Sequence, residues 1–330
     1  MSRNPQSKPV IAIITPSLAD ANNGNWRTAS RWQSLLGHQF RTILHSSWPI
    51  PPPVEADIVI ALHARRSADS IRRYRAAHPR GALIVALTGT DLYADLATSE
   101  EARASIDIAD ALIVLQEDAI QYLPREHRKK THVIYQSAKT LLPAAKLKDR
   151  LNCVVAGHLR AEKDPDIIFR LVESLPGDTP IHVLHIGAPS DAALAMRAQS
   201  ISRTSRHYHW AGALSHGLTR AAIKRSHLLI HPSVMEGGAN VIVEALASGT
   251  PVLASRMSGN IGMLGQDYAG YFPVGDMDAL RSQLDHCARD ANFLLRLNTG
   301  CAARAKLFLP EAERTALVKL ISDLWQVVSR

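Results

Sequence analysis

The sequence predicts an α/β protein with two doubly wound halves. Three observations carry this. Short apolar runs alternate with longer polar stretches across the 330 residues. The alternation pauses once, at "TLLPAAKLKDR" (140–150), and then restarts. The chain is 46% hydrophobic, which is enough for a sizeable core and, at this length, for two domains. Runs that are apolar throughout suit parallel strands buried on both faces, and the stretches between them suit the helices that cover such a sheet.

In the first half, "VIAIIT" (10–15), "DIVIAL" (57–62), "ALIVAL" (82–87), "ALIVL" (111–115) and "HVIYQS" (132–137) are predicted strands. "NWRTASRWQSLL", "SADSIRRYRAAH", "SEEARASIDIA" and "DAIQYLPREHRKK" are predicted helices between them. The proline run "WPIPPPVE" (48–55) reads as a stiff surface connector. In the second half, strands are predicted in "LNCVVAGHL", "PIHVLHIGA", "YHWAGAL", "HLLIHPS" and "TPVLAS". The helices between them are "DPDIIFRLVESL", "SDAALAMRAQSISR", "SHGLTRAAIKRS" and "NVIVEALAS". The last stretch, "EAERTALVKLISDLWQVVSR", is an amphipathic helix with Leu317, Leu320, Ile321, Leu324 and Val328 on one side. The expected division is 1–148, 149–310 and a terminal helix 311–330. Ligands of open parallel sheets bind beyond the carboxyl ends of the strands, so two such sheets facing each other make a cleft between the domains.

Composition narrows the function classes. Lys and Arg exceed Asp and Glu by 38 to 30, a net charge of +8. The basic residues are spread along the chain and aromatics make up only 5%. That pattern favours small phosphorylated ligands over nucleic acid or an acidic membrane surface. No apolar run approaches the ~20 residues of a membrane span, so no membrane insertion is expected. The N-terminal "MSRNPQSKPVIAIITPS" reads as a first strand rather than a signal peptide. Three scattered cysteines, Cys153, Cys287 and Cys301, without a C-x-x-C pair, suit a reduced cytoplasmic protein.

The stretch "MEGGANVIVEALASGTPVLAS" (235–255) carries the sharpest chemical signal. It runs from a strand through a glycine loop into a helix. Gly237 and Gly238 tolerate close backbone approach. Asn240 is a candidate N-cap, with the helix expected from about Val241 to Ser248, ending at Gly249 before Pro251. The free amides of such a helix start suit a diphosphate. Glu236 precedes the loop, and Glu244 lies one turn into the helix, leaning back toward its start. Carboxylates prefer hydroxyls to phosphates, so two acids beside an anion site suit a nucleoside diphosphate sugar. On spacing alone, a solvated loop acid and a surface helix acid account for the pair equally well.

These residues resemble the E-x7-E segment of the GT-B glycosyltransferases of the large retaining family 4. The preceding "HLLIHPSVME" and the following "YFPVGDMDAL" match that layout too. The resemblance implies a GT-B fold, two Rossmann-like domains across a cleft. It implies that Glu244 binds the nucleotide ribose, Glu236 the donor sugar, and the amides of Gly237, Gly238, Ala239, Asn240 and Val241 the diphosphate. It also implies a terminal helix that crosses back to the interdomain region. A second family element, G-R-L-x-x-E-K, reads here "GHLRAEKDPD" (157–166). Lys163 falls on the lysine, which binds the diphosphate. His158 stands where the arginine is expected, and Arg160 follows two positions later as a candidate for the arginine's bidentate contacts. Arg160, Lys163 and Glu236 are the catalytic candidates.

A narrower resemblance lies in the first half. "PSLADANNGNWRTASRWQSLL" (16–36), "LHARRSADSI" (62–71) and "LTGTDLYADL" (87–96) are similar to the selenosugar synthases of selenoneine biosynthesis, the SenB type. That likeness implies transfer of the sugar of a UDP-sugar, UDP-N-acetylglucosamine or UDP-glucose, to selenophosphate, with release of UDP and phosphate. The usual family "N-G-V-D" is replaced by "IYQSAK" (134–139), which suits an unusual acceptor. UDP-sugar and selenophosphate are substrates, and neither a cofactor nor a protein partner is implied. Gly24 and Asn25 are donor-side candidates, although a tight βα turn explains them too. His63, Arg65, Arg66, Thr88, Gly89, Thr90 and Asp91 are acceptor candidates, with Ser67 as an N-cap and Asp91 as either a cap or a ligand contact. An anionic selenium nucleophile needs a positive pocket more than a general base, whereas a hydroxyl acceptor needs the base. Retention and inversion both stand at this level. So do two other activities, a hydroxyl-acceptor glycosyltransferase and an epimerase-like isomerase.

Other signals are weaker. "DPD" (164–166) imitates a metal-binding D-x-D, but Asp164 as N-cap with Pro165 at the first helical position explains it better. His182, His185, His207 and His209 lack a further ligand nearby in sequence, so no metal site is expected.

Overall fold

Two six-stranded parallel sheets organise the chain. A computed structural model describes residues 8–16, 24–52, 54–147 and 149–328. It divides the chain into Met1–Gln136 together with Pro310–Arg330, and Ser137–Leu309.

The first unit contains β1 (Val10–Ile14), β2 (Arg41–His45), β3 (Ile58–Leu62), β4 (Ala82–Leu87), β5 (Ala111–Val114) and β6 (Thr131–Val133), in the order β2-β1-β3-β4-β5-β6. Side chains alternate between faces along each strand. Ile11, Ile13, Ile58 and Ile60 enter one apolar cluster, while Ala12, Ile14, Val59 and Ala61 enter the other. Both faces are buried, which is why these strands are apolar throughout. The helix Pro310–Val328 places Leu317, Leu320 and Ile321 in the first of these clusters, against Trp32 and Leu36 of the helix Gly24–Leu36. Its Glu313 is buried there, accepting from Trp32 Nε1 at 2.7 Å and from Arg31 Nε at 2.9 Å.

Four features of this unit differ from the sequence expectation. β2 is an added edge strand, parallel to β1. The proline run is not all surface. Trp48 and Ile50 are buried, and the Trp48 ring meets Tyr74 edge-on at 5.2 Å, because the second apolar cluster has room for both side chains. The stretch predicted as a helix after β5 is two 3-10 segments, Glu117–Tyr122 and Arg125–Lys130, separated at Pro124, which cannot donate the hydrogen bond that would continue a helix. β6 covers only Thr131–Val133 of the longer predicted strand.

The second unit contains β7 (Leu151–Ala156), β8 (Ile181–Ile186), β9 (Tyr208–Trp210), β10 (Leu228–His231), β11 (Val252–Ser255) and β12 (Tyr271–Phe272), in the order β12-β11-β10-β7-β8-β9. Asp164 caps the helix Pro165–Ser174, accepting from the Ile167 amide, with Pro165 at its first position. Ile167, Ile168, Phe169, Leu171 and Val172 supply that helix's buried face. The short strand β12 was not expected from the sequence. Strand order reverses between β7 and β10, and between β1 and β3 in the first unit. Such switch points leave a crevice at the strands' carboxyl ends. Among the described residues, no helix is long and apolar enough to cross a membrane.

Candidate functional site

In the second unit, the loops leaving β7 and β10 meet beside the switch point. After β7 the chain makes a 3-10 turn, Ala161–Lys163, and the aliphatic part of Lys163 lies over Gly157. After β10 the chain passes Val234, whose amide donates to the Glu162 carbonyl at 3.0 Å and ties the two loops together. Two residues on, the Glu236 carboxylate is in direct contact with the Lys163 ammonium. Burial pushes the Glu236 carboxyl up, but the charge and hydrogen bond of Lys163, with Arg160 behind it, more than offset this and hold the pKa below the ordinary glutamate value. Gly259 packs against the Glu236 carbonyl so closely that a Cβ there would lie 2.1 Å from the oxygen.

His231, the last residue of β10, is 3% exposed, with Nε2 3.9 Å from Glu236 Oε1. Burial, helped by Lys163, pushes its pKa down to about 4 against the pull of Glu236, so the ring is neutral. Its Nε2 has no hydrogen-bond partner among the described residues.

The helix after the glycine loop spans Asn240–Leu246. It starts one residue earlier than expected. Ala239, not Asn240, holds the cap position, with no side-chain cap, and its amide donates to Met263 Sδ at 3.1 Å. Asn240 is the first helical residue because no side chain is needed to start a turn that buried Ile242 and Val243 anchor. Glu244 is buried, and His216 Nε2 lies 2.7 Å from its Oε1. His216 opens the helix His216–Arg225 and is half exposed. Arg160 is also half exposed, with Nε 3.8 Å from the Glu162 carboxylate. His158 stands at the position of the family arginine, in the loop after β7. It is exposed, and its Nδ1 accepts from the Ala188 amide at 3.2 Å.

In the first unit, the loops after β3 and β4 are tied by Asp91. This side chain is fully buried, and its two oxygens accept from the amides of Ala64, Thr88 and Gly89 at 2.8 to 3.2 Å. It is a clamp between loops, with its lone pairs taken by backbone. His63 is buried in the left-handed region at φ 72°, and burial, against the pull of Asp91, lowers its pKa. Its Nδ1 accepts from the Arg66 amide at 3.3 Å, which leaves Nε2 as the donor to Thr90 Oγ1 at 3.1 Å. The Thr90 hydroxyl proton therefore points elsewhere. Arg65 pairs with Asp95 at 2.9 Å, and the Arg66 side chain is exposed. Ser67 holds the N-cap position of the helix Ala68–Ala77, but its hydroxyl donates to the Leu62 carbonyl at 2.6 Å instead of capping. Gly24 and Asn25 open the first helix, with Thr28 Oγ1 donating to the Gly24 carbonyl. The adjoining "SLADANN" of the predicted glycine loop lies outside the described residues.

Among the described residues, no group of three or more His, Cys, Asp or Glu side chains is arranged to hold a metal ion. Asp164 caps a helix, and Asp166 pairs with Arg170 and Arg197.

The family described as "Glycosyl transferases group 1" matches residues 119–300, more than half of the chain. The chain belongs to the group 1 glycosyl transferases. A comparison with curated protein sequences finds no match. Solved structures share the GT-B architecture. Sucrose-phosphate synthase from Thermosynechococcus elongatus matches with a TM-score of 0.78 at 16% identity, over 97% of this chain and 100% of that one. Anabaena HepE in complex with UDP and glucose matches at 0.72 and 16%, over 96% and 100% of the two chains. A glycosyltransferase from Rickettsia africae matches at 0.74 and 13%, over 96% and 98%. At such identities the likeness carries the fold.

Two residues of this glycosyl transferase that touch the site were missed by motif reading, His216 and His231. Neither belongs to the E-x7-E or G-x-L-x-x-E-K patterns. Their importance is spatial, and only a polar residue at a strand or helix end hinted at it.

Proposed function

We propose that this glycosyl transferase moves the sugar of a UDP-sugar to selenophosphate, forming a selenosugar. The observation that carries the donor half is the pairing of Lys163 with Glu236 at the switch point, with the buried carboxylate of Glu244 on the following helix. In this reading Lys163 turns to the diphosphate, Glu236 to the sugar hydroxyls and Glu244 to the ribose. Arg160 supports the leaving phosphates, and the amides from Gly237 to Val241 line the loop. Gly24 and Asn25, which open the helix Gly24–Leu36, remain donor-side candidates in this reading. Anabaena HepE was solved with UDP-glucose, which gives the same fold a UDP-sugar precedent.

The acceptor half rests on the loops after β3 and β4. Asp91 has both oxygens engaged by amides, and Asp95 is paired with Arg65. The His63 nitrogens are both in use. What these loops offer is an exposed guanidinium at Arg66, a hydroxyl proton at Thr90, and Thr88 with the flexible Gly89. That set binds an anion rather than removing a proton. Selenophosphate fits it, because its selenium is already a polarisable nucleophile. The selenium lone pair attacks the anomeric carbon, and the bond to the diphosphate oxygen breaks with its electron pair, releasing UDP. Water then attacks phosphorus, the Se–P bond breaks, and phosphate leaves with the selenium retained on the sugar. Positive charge from Lys163 and Arg160 stabilises the departing UDP.

Mass spectrometry of the products tests this. The purified protein is given UDP-N-acetylglucosamine or UDP-glucose, with and without fresh selenophosphate under argon. A selenium isotope pattern at the mass of a selenosugar, with UDP release that depends on selenophosphate, is the expected result. UDP release without selenophosphate overturns the acceptor assignment and points to hydrolysis or isomerisation.

A further inference from the structure

We infer that His231 is a positioning residue that takes over as the hydrogen-bond partner of Glu236 when a nucleoside diphosphate draws Lys163 away. This rests on the donor reading above and adds a residue to it.

Three observations converge. The first is an unpartnered buried nitrogen. His231 is 3% exposed, and its Nε2 finds no partner among the described residues. Buried polar atoms left unpaired are unfavourable and uncommon, so one this close to the Lys163–Glu236 pair calls for a partner that arrives later. The second is distance. Nε2 lies 3.9 Å from Glu236 Oε1, so a movement of about 1 Å makes a hydrogen bond of ordinary length. The third is competition for Lys163. Without ligand, its ammonium neutralises Glu236. A diphosphate offers that ammonium more negative charge than one carboxylate does. Once Lys163 turns, Glu236 sits in a half-buried place without a cation.

Histidine suits the handover. Burial keeps the ring uncharged, with a pKa pushed down to about 4, and the facing charges are Lys163 and Glu236 themselves. A neutral N–H does not compete with Lys163 in the free protein, nor with the diphosphate for it. It is strong enough to keep the carboxylate ionised and turned toward the sugar hydroxyls once the ammonium has gone. A second cation at this position would hold Glu236 in both states and remove the exchange.

The test uses the full chain with His231→Phe, which fills the space without a donor, and His231→Gln, which restores one. UDP affinity is measured by calorimetry, and kcat and KM from UDP release. The expected result is that His231→Phe keeps UDP affinity within about threefold while kcat falls about 10- to 100-fold, and that His231→Gln recovers most of the loss. Equal losses in UDP affinity and kcat, or a kcat unchanged in His231→Phe, overturn the inference. Because His231→Phe also threatens folding, the unaltered chain supplies an independent readout. With nitrogen-15 histidine, the His231 Nε2–H resonance, assigned by its disappearance in His231→Gln, shifts downfield when UDP is added. A resonance indifferent to bound UDP overturns the inference alone. A chain that binds no UDP at all overturns the nucleotide reading and the inference with it.

Discussion

His216 Nε2 lies 2.7 Å from Oε1 of Glu244, two residues that stand 28 positions apart in the chain. The carboxylate proposed for the ribose is thus held in place before any nucleotide arrives. Glu244→Ala is expected to lower UDP affinity by about 10- to 100-fold, the range for a lost hydrogen bond to a charged group. Calorimetry checks it, and unchanged affinity removes Glu244 from the ribose.

Lys163→Met leaves Glu236 without its cation in a half-buried place. Turnover is expected to vanish, and stability to fall by about 1 to 2 kcal/mol, less than for a fully buried pair because solvent reaches both groups. Denaturant titration reads the second effect and UDP release the first. A variant that keeps its turnover contradicts the diphosphate role of Lys163.

Gly259→Ala drives a methyl group into the Glu236 carbonyl, with only 2.1 Å available. The loop bearing Glu236 must move. Turnover is expected to fall at least about tenfold, with a stability loss of about 1 to 3 kcal/mol from overpacking. Activity assays on the folded variant check this. An alanine variant with full activity shows that the loop position tolerates displacement.

Acid should destabilise the protein through its buried histidines. His185 and His231 have folded pKa values near 3 and 4, against an ordinary 6.5. The unfolded chain therefore binds more protons than the folded one as pH falls below 6.5. The stability is fully present above that value and is lost toward the folded pKa. Each of the two contributes a loss of about 2 kcal/mol by pH 5. Glu236, held below its ordinary value of 4.5, adds a loss in the same direction at lower pH. Urea titrations at pH 7, 6 and 5 measure the slope, and His231→Gln is expected to reduce it. Equal stability at pH 7 and 5 contradicts the burial argument.

Glu313 is a buried acid whose partners, Arg31 and Trp32, come from the opposite end of the chain. Glu313→Ala is expected to cost about 3 kcal/mol, since it strands a partly buried guanidinium and an indole donor. Urea denaturation followed by circular dichroism measures it, and a loss below about 1 kcal/mol would show the pair to be dispensable.

Much of this fold is legible in the residues because strands buried on both faces are apolar throughout. β3 and β4 reveal themselves that way. β2 does not. It is a half-buried edge strand in which Arg41, Thr42 and His45 flank Ile43 and Leu44, a composition shared with loops. β12 has two residues, too few for any period. Trp48 lies in a proline run that looks like surface until Tyr74, 26 positions on, is seen beside it. The site divides likewise. Lys163, Glu236 and Glu244 sit in contiguous patterns with fixed spacing. Asp91 was legible as an acid, but only coordinates reveal that three amides occupy it. His216 and His231 matter through distances across folded space, which spacing does not encode.

The helix Pro310–Val328 completes the apolar cluster around Ile11, Ile13 and Trp32. It is synthesised long after the sheet it covers, whose last strand, β6, ends at Val133. At ~5 to 20 residues per second, the first unit's sheet, complete at Val133, waits ~10 to 40 s for the helix that covers one of its faces. During that interval the exposed patch is a client for chaperones. A chain broken off anywhere within the second unit is then injured in the first, because the sheet there depends on a helix that is made only after the whole second unit.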